Sequence, residues 1–334
     1  MTFLCEETGK EIFVDILSNS GFDAILRVTV ILGNVSGECE LERKKGLFAA
    51  FGAGLAWGCT SPIAQYLFDE KGIVSQWLVP YRMVLAGILL LIYAVVVKKQ
   101  NPKILWTDKN DILRLFGVGI LGMMGMQYSF FVAIQETNAG VATIFQYLNP
   151  AILLLFYAVV YRVMPHKKEI IAVSCSIVGI FLVATQGNIH QLSMSPKGFF
   201  MGMVLAITTC FYGVLPGPLL KKYPAESMCG WAMLIGGIVL SIVLRPWKIE
   251  VHMDLVVLVG YLVITIAGTI LPFLLYLAAV KYAGSVYAGL LSSVEPVAAT
   301  IVAAVFLGTS FPAIDILGFA LVLSTLFILN INAK

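Results

Sequence analysis

Apolar runs long enough to cross a lipid bilayer recur along almost the whole chain, and no other feature restricts its fold as much. They fall at 46–68, 77–97, 112–134, 138–161, 169–186, 198–219, 227–244, 255–280, 283–307 and 314–331. About 20 apolar residues carry a helix across the hydrocarbon core. Inside lipid every backbone N–H and C=O has to be paired within the protein, so runs of this kind fold as helices. The breaks between the third and fourth runs and between the eighth and ninth are the weakest, marked only by Gln135-Glu136-Thr137 and Lys281-Tyr282. Composition agrees: 59% of residues are hydrophobic and 12% charged, against about 45–50% and about 25% in soluble domains. The expected fold is an all-α integral membrane protein with ten transmembrane helices.

Residues 1–43 are different. They are mixed and moderately acidic, with one short apolar run, 24–32, interrupted by Arg27. That run is too short to span, and no basic start leads into a cleavable signal peptide. Three readings are open for this extension: an interfacial helix around 11–32, a disordered tail, or a segment upstream of the true start. The last follows from Gly37-Glu38, which can encode a purine-rich ribosome-binding sequence, and from Leu41, which a UUG start codon would supply. The cysteines (Cys5, Cys39, Cys59, Cys175, Cys210 and Cys229) show no metal-ligand spacing and read as small apolar fillers.

Lys and Arg are enriched in cytoplasmic loops. With the N-terminus inside, the cytoplasmic face collects Arg43, Lys44, Lys45, Lys98, Lys99, Lys103, Lys109, Arg114, Arg162, Lys167, Lys168, Lys221, Lys222, Lys281 and Lys334. The outer face holds only Lys71, Lys197, Arg245 and Lys248. Both termini are therefore expected in the cytoplasm, with the protein multi-pass in the cell (cytoplasmic) membrane. The net charge of +3 reflects this bias and does not point to nucleic acid. Trp77 and Trp247 fall at the expected outer interface, where indoles are favoured.

Two runs share a layout. NAGVATIFQYLNPAILLLFYAVVY (138–161) has Gln146, Asn149 and Pro150 where AGSVYAGLLSSVEPVAATIVAAVFL (283–307) has Ser292, Glu295 and Pro296. The offset of 146 also aligns Gly122, Ala133 and Ala142 with Gly268, Ala279 and Ala288. Basic residues follow the fourth run, whereas the break after Leu307 has none. Five spans per half is an odd number, so the second half enters the membrane inverted, and loss of basic charge at equivalent breaks is what inversion predicts. The halves are set at 46–187 and 197–332. Inverted repeats with a site at the midplane are a transporter architecture.

These stretches carry a family resemblance. AGLAWGCTSPIA (53–64), YRMVLAGILLL (81–91), AIQETNAGVATIFQYLNPAI (133–152) and AVKYAGSVYAGLLSSVEPVAA (279–299), in that order and spacing, resemble the drug/metabolite transporter superfamily. Within it the chain looks like the bacterial EamA-type family with two EamA domains, over about 46–331. The resemblance implies ten helices in inverted five-helix repeats, cytoplasmic termini and a central solute pathway. Members export, or in some cases import, amino acids, nucleosides and other metabolites. Residues 1–43 depart from the family pattern, which favours the misplaced start.

Glu295 is the leading candidate for chemistry, because an ionisable group halfway along a membrane run is costly. It could couple solute movement to protons or serve as a neutral hydrogen-bonding group at a kink. Pro150 and Pro296 are expected to kink their helices, since proline lacks an N–H and obstructs the carbonyl four residues earlier. Ser292 or Glu295 would then satisfy the freed backbone groups. Gln146 and Asn149 would face Ser292 and Glu295, giving a polar pocket suited to a zwitterionic or polar neutral solute, or simply hydrogen bonds between helices. Arg82 is expected to snorkel to the outer interface or pair with a helix end, or to touch solute. Trp57 lies near mid-depth and either lines the pathway or packs. Gln127, Tyr128 and Tyr276 are further pathway candidates, with Gln65, Tyr212 and Tyr287. Gly54-x-x-x-Gly58 and Gly213-x-x-x-Gly217 read as close helix contacts.

No HExxH, phosphate-binding GxxxxGK[ST] or GxSxG motif is present. His166, His190 and His252 fall in loops without a ligand-spaced partner. No catalytic residue, metal site or cofactor is expected, and an enzyme is not the leading reading. The expected function is secondary transport of a small polar metabolite or amphiphilic compound, outward, by alternating access. The alternative is an intramembrane enzyme acting on a lipid or isoprenoid, which would need clustered His, Asp, Glu or Arg near one face. The expected partners are a small-molecule solute and the bilayer, not nucleic acid, and a homodimer is left open.

Overall fold

The computed structural model describes residues 2–5, 10–13, 21–161, 166–188 and 192–330. Arg162, His190 and Lys334, singled out above, lie outside the described residues, as do 6–9 and 14–20 of the N-terminal extension. Strands β1 (Thr2–Cys5) and β2 (Lys10–Phe13) pair as an antiparallel hairpin. Helix α1 runs over Gly21–Asp69, with its membrane-length apolar part at Leu41–Asp69. Then come α2 (Ser75–Val96), α3 (Lys109–Glu136), α4 in two segments (Ala139–Gln146 and Asn149–Tyr161) and α5 (Lys167–Thr185). The second half has α6 (Pro196–Leu220), α7 (Ala225–Leu244), α8 (Leu255–Gly284), α9 (Tyr287–Leu307) and α10 (Ala313–Asn330). Among the described residues nine of these are long and apolar enough to cross a membrane, and the apolar part of α10 is a shorter Ala313–Leu329. At about 1.5 Å per residue α10 still reaches most of the way across the core.

Both weak breaks are real. Thr137 leaves helical backbone and the Asn138 side chain caps α4 by accepting from the Val141 N–H. The second break falls slightly later than the Lys281-Tyr282 expectation, at Gly284, whose φ of +83° suits glycine.

The connections gather at two ends. At one, Lys71 pairs with Asp254 at 2.7 Å, and Lys197 and Ser195 reach Glu136 at 2.7 and 2.9 Å. Gln65 joins the same end, donating to Thr309 at 3.1 Å and accepting from the Ala139 N–H at 3.0 Å. At the other, Lys222 and Tyr223 both hold Asp111 at 2.9 Å, and Ser227 donates to Gln100 at 2.8 Å. The chain therefore alternates between two ends, and with five crossings per half the second half starts from the opposite end to the first.

Packing repeats with the same symmetry. Helices α2 and α7, α4 and α9, and α5 and α10 each pack on their own counterpart. Helix α1 packs on α8 as α6 packs on α3, and α1 on α9 as α6 on α4. Exchanging the halves leaves this set of pairings unchanged. Even a local irregularity is duplicated: α3 and α8 widen into π-helix at Val118–Met124 and Ile266–Ile270. Gly122 and Gly268 sit in these turns. A Cβ at Gly268 would meet Thr60 Oγ1 at 2.6 Å, and one at Gly122 would meet Tyr212 Cα at 3.2 Å. At these turns α1 and α6 pack closely on α8 and α3.

The two tryptophans expected at the outer interface differ in exposure. Trp247 is 60% exposed, but Trp77 is buried, with Tyr81 and Tyr261 rings at 5.5 and 5.8 Å. Aromatic neighbours from α2 and α8 enclose its indole before the interface can.

Candidate functional site

The prolines interrupt α4 and α9 at equivalent places. Tyr147 (φ −78°, ψ 5°) and Ser293 (φ −67°, ψ 0°), each three residues before a proline, leave helical geometry. Pro296 has no N–H for the Ser292 carbonyl. That carbonyl is taken from the other half of the molecule: the Tyr147 hydroxyl donates to it at 3.1 Å and lies 3.3 Å from Glu295 Oε2. The expectation that Ser292 or Glu295 heals the break is thus corrected. Ser292 Oγ donates to Gly289 O in its own turn, at 3.1 Å, and the cross-repeat tyrosine does the healing.

This triad has a proton count. Glu295 is buried, at 3% exposure, and Tyr147 is its one side-chain hydrogen-bond partner among the described residues. A tyrosine hydroxyl has one proton to give, and the Ser292 carbonyl can only accept. With Glu295 neutral, its carboxyl donates to the Tyr147 oxygen, Tyr147 donates to Ser292, and all three groups are satisfied. With Glu295 ionised, Tyr147 serves either the carboxylate or the carbonyl, and the other goes without.

Helix α1 packs its two small residues directly on this break. A Cβ at Gly54 would lie 2.5 Å from Ser292 O, and one at Gly58 would lie 2.5 Å from Glu295 O. The packing reading of Gly54-x-x-x-Gly58 therefore describes the contact. Gly213 and Gly217 meet nothing within 4 Å, so the second motif makes no such contact.

Gln146 and Asn149 do not complete a facing tetrad with Ser292 and Glu295. Their half-buried side chains have no hydrogen-bond partner among the described residues, and only the Asn149 carbonyl is used, accepting from Cys210 Sγ at 3.4 Å. Tyrosine is long enough to cross between the halves where an amide is not. Beside the triad, Trp57 packs on Phe273 and Tyr276 with ring centroids at 5.5 and 5.8 Å, and Tyr212 meets Phe273 at 6.3 Å. Tyr276 lies near Tyr147. Side chains from α1, α4, α6, α8 and α9 thus converge on one aromatic and polar centre where the halves meet.

Arg82 forms a second cluster. The snorkelling expectation is wrong: Arg82 is 2% exposed. It lies about 10 Å along α2 from Ser75, and its partners lie deeper, Gln127 about 13 Å and Thr269 about 21 Å from the same ends of α3 and α8. The guanidinium turns inward because those partners hold it. Nη1 donates to Thr269 Oγ1 at 2.8 Å, Nη2 donates to Gln127 Oε1 at 3.0 Å, and Cζ stands 4.1 Å from the Phe131 ring centroid. Thr269 belongs to the π-turn of α8 and donates to Ile264 O at 3.0 Å. Tyr128 is half-buried and faces the Lys197 end. Gln65 ties connections together at that end, and Tyr287 is 44% exposed beneath the Arg43 guanidinium.

Two five-helix halves, discontinuous helices facing each other, and buried polar groups gathered at the seam define a multi-pass membrane protein of the transporter class. The chain belongs to the EamA-like transporter family, which matches residues 44–185 and again 196–331. It is 28% identical over 291 residues to the uncharacterized inner membrane transporter YicL of Salmonella typhimurium, covering 87% of this chain and 97% of that one. It is 25% identical over 289 residues to protein PecM of Dickeya dadantii, covering 84% and 91%. A solved crystal structure superposes with a TM-score of 0.58 at 16% identity, over 86% of this chain and 97% of the other, a likeness of fold alone.

Proposed function

We propose that the protein is a secondary carrier that moves a small polar or amphiphilic metabolite across the cytoplasmic membrane, outward, by rocking one five-helix half against the other. The observation that carries the reading is the Tyr147 bridge to Ser292 and Glu295. It joins the halves where α4 and α9 are both interrupted, so relative motion of the halves makes and breaks it. Relatives named as transporters support the coarse reading. In this proposal the end with Lys71, Lys197 and Arg245 faces outward and both termini face the cytoplasm, since the basic side chains concentrate at the other end.

Glu295 is the proposed proton-coupling group. Its protonation decides whether the Ser292 carbonyl keeps its partner, which couples the proton to the helix break. Metabolite profiling of cells and medium on overexpression should show one solute lost from cells and gained outside, and no change in either compartment would sink the carrier reading. With that solute in proteoliposomes, Glu295→Gln should abolish flux driven by a pH gradient while retaining solute binding. If the variant still accumulates solute under the gradient, Glu295 is not the coupling group.

A further inference from the structure

We propose that Arg82 is a carboxylate-recognition residue, covered in this conformation by the second half of the molecule and uncovered when the Lys71 end opens. The proposal rests on the carrier reading above and narrows its solute to compounds bearing a carboxylate. Arg82 is among the largest fully enclosed side chains. Among the described residues its partners are uncharged: the Thr269 hydroxyl, the Gln127 amide and the Phe131 ring, with the Tyr261 phenol near by. Among the described residues no carboxylate lies within ion-pair reach of it. A buried cation without a counter-charge is strongly disfavoured, so its position calls for an anion that the chain itself does not supply.

The geometry leaves room for one in hydrogen-bonding terms. A guanidinium has five N–H donors in a planar fork that matches a carboxylate bidentately. One donor on each terminal nitrogen is used, and Nε is buried with no partner at all. The cover is divided between the halves: Arg82, Gln127 and Phe131 come from α2 and α3, whereas Thr269 comes from α8. Separation of α8 from α2 would withdraw Thr269 and leave the guanidinium backed by Phe131, with most of its donors free. Helix α7, the counterpart of α2, has no arginine in Ala225–Leu244, so recognition would be made by one half only.

The test needs no knowledge of the transported solute. Full-length protein in dodecyl maltoside is treated with phenylglyoxal, and modification of Arg82 is quantified by peptide mass spectrometry, with exposed Arg245 as internal control. The probes are benzoate and acetate, their amides benzamide and acetamide, and inorganic phosphate. Arg82 should react slowly when no probe is present. A carboxylate at about ten times its Kd should cut that rate about tenfold by mass action, with the amides inactive and Arg245 unaffected. No reaction at Arg82, equal protection by amides, or equal protection of Arg245 overturns the proposal. Protection by phosphate but by neither carboxylate overturns the carboxylate assignment in favour of a phosphate or lipid headgroup. Flux in cells with no protection at Arg82 would leave the carrier reading standing without this site. Protection without flux would leave the site without the carrier.

Discussion

Gly54 and Gly213 stand in identical Gly-x-x-x-Gly patterns, and the structure sets opposite outcomes for replacing each with alanine. At Gly54 a methyl group would lie 2.5 Å from Ser292 O, 2.7 Å from Val294 Cγ1 and 2.9 Å from the Ser292 carbonyl carbon. Two of those atoms are backbone and cannot rotate away. Ordinary contact begins at 3.4 Å, so α1 would have to retreat by about 1 Å from the break in α9. Overpacking of this kind costs about 1–3 kcal/mol, offset by the helix preference of Ala over Gly, about 1 kcal/mol. Because the clashing Ser292 atoms are backbone, the upper part of the overpacking range, about 2–3 kcal/mol, applies, and Gly54→Ala should be destabilised by about 1–2 kcal/mol net. Gly213 faces outward with nothing within 4 Å, so Gly213→Ala keeps only the propensity gain, up to about 1 kcal/mol. Unfolding in mixed micelles by titration with sodium dodecyl sulfate, followed by tryptophan fluorescence, measures both. The double variant Gly54→Ala/Gly58→Ala should cost less than the sum of its parts, because one retreat of α1 relieves both clashes. A Gly54→Ala protein as stable as the parent, or a Gly213→Ala protein as weakened as Gly54→Ala, would refute the packing argument.

Two further predictions concern polar contacts. Tyr147→Phe keeps the ring but removes the hydroxyl, leaving the Ser292 carbonyl and Glu295 without their partner; the expected loss is about 1–3 kcal/mol in the same titration, and unchanged stability would mean that the hydroxyl heals nothing. The Lys71–Asp254 pair lies in the connections, where its hydrogen bond holds the Asp254 carboxyl below its ordinary range and lifts the Lys71 amine above its own. A carboxylate held low stabilises the fold above its unfolded value of about 3.9 and loses that contribution as pH falls through the folded value; an amine held high stabilises below about 10.4 and loses it as pH rises through the folded value. The stability gap between Lys71→Met and the parent should therefore be widest between these limits, close on acidification, and shrink with added salt because the pair is only partly buried. A gap that is flat across acid pH would show that the pair contributes nothing.

Much of the architecture was legible because it depends on local properties. Apolar length sets a crossing, and a proline withholds the N–H that the carbonyl four residues earlier would use. The offset of 146 could therefore be read from Pro150 and Pro296, and the structure places the breaks at Tyr147 and Ser293, again one offset apart. What could not be read depends on which groups the two halves bring together. Tyr147 has no distinguishing context in its own helix and matters only because Ser292 and Glu295 arrive from the other repeat. Arg82 near the end of an apolar run ordinarily snorkels; here Thr269 and Gln127 draw it inward, and neither is near it in sequence. The two glycine motifs differ only in whether a neighbour sits on that face, which spacing does not encode.

The backbone is duplicated while the chemistry is not. Both halves have an interrupted fourth helix, a π-turn in the third and the same set of helix pairings. Yet Tyr147 aligns with Ser293 and Asn149 with Glu295. Ser293 reaches no further than its own helix, donating to Leu290 O at 2.6 Å. Arg82 and Thr269 likewise bridge the halves without a repeat of themselves. A duplicated scaffold gives two inward- and outward-related arrangements of similar backbone energy, so under the proposed function the balance between them falls to the few side chains that break the symmetry. Those are Tyr147, Glu295 and Arg82. Each joins one half to the other or is covered by it, and each would lose a partner in the opposite state. The differences between the repeats, more than their likeness, are therefore where solute selection and coupling have to be written.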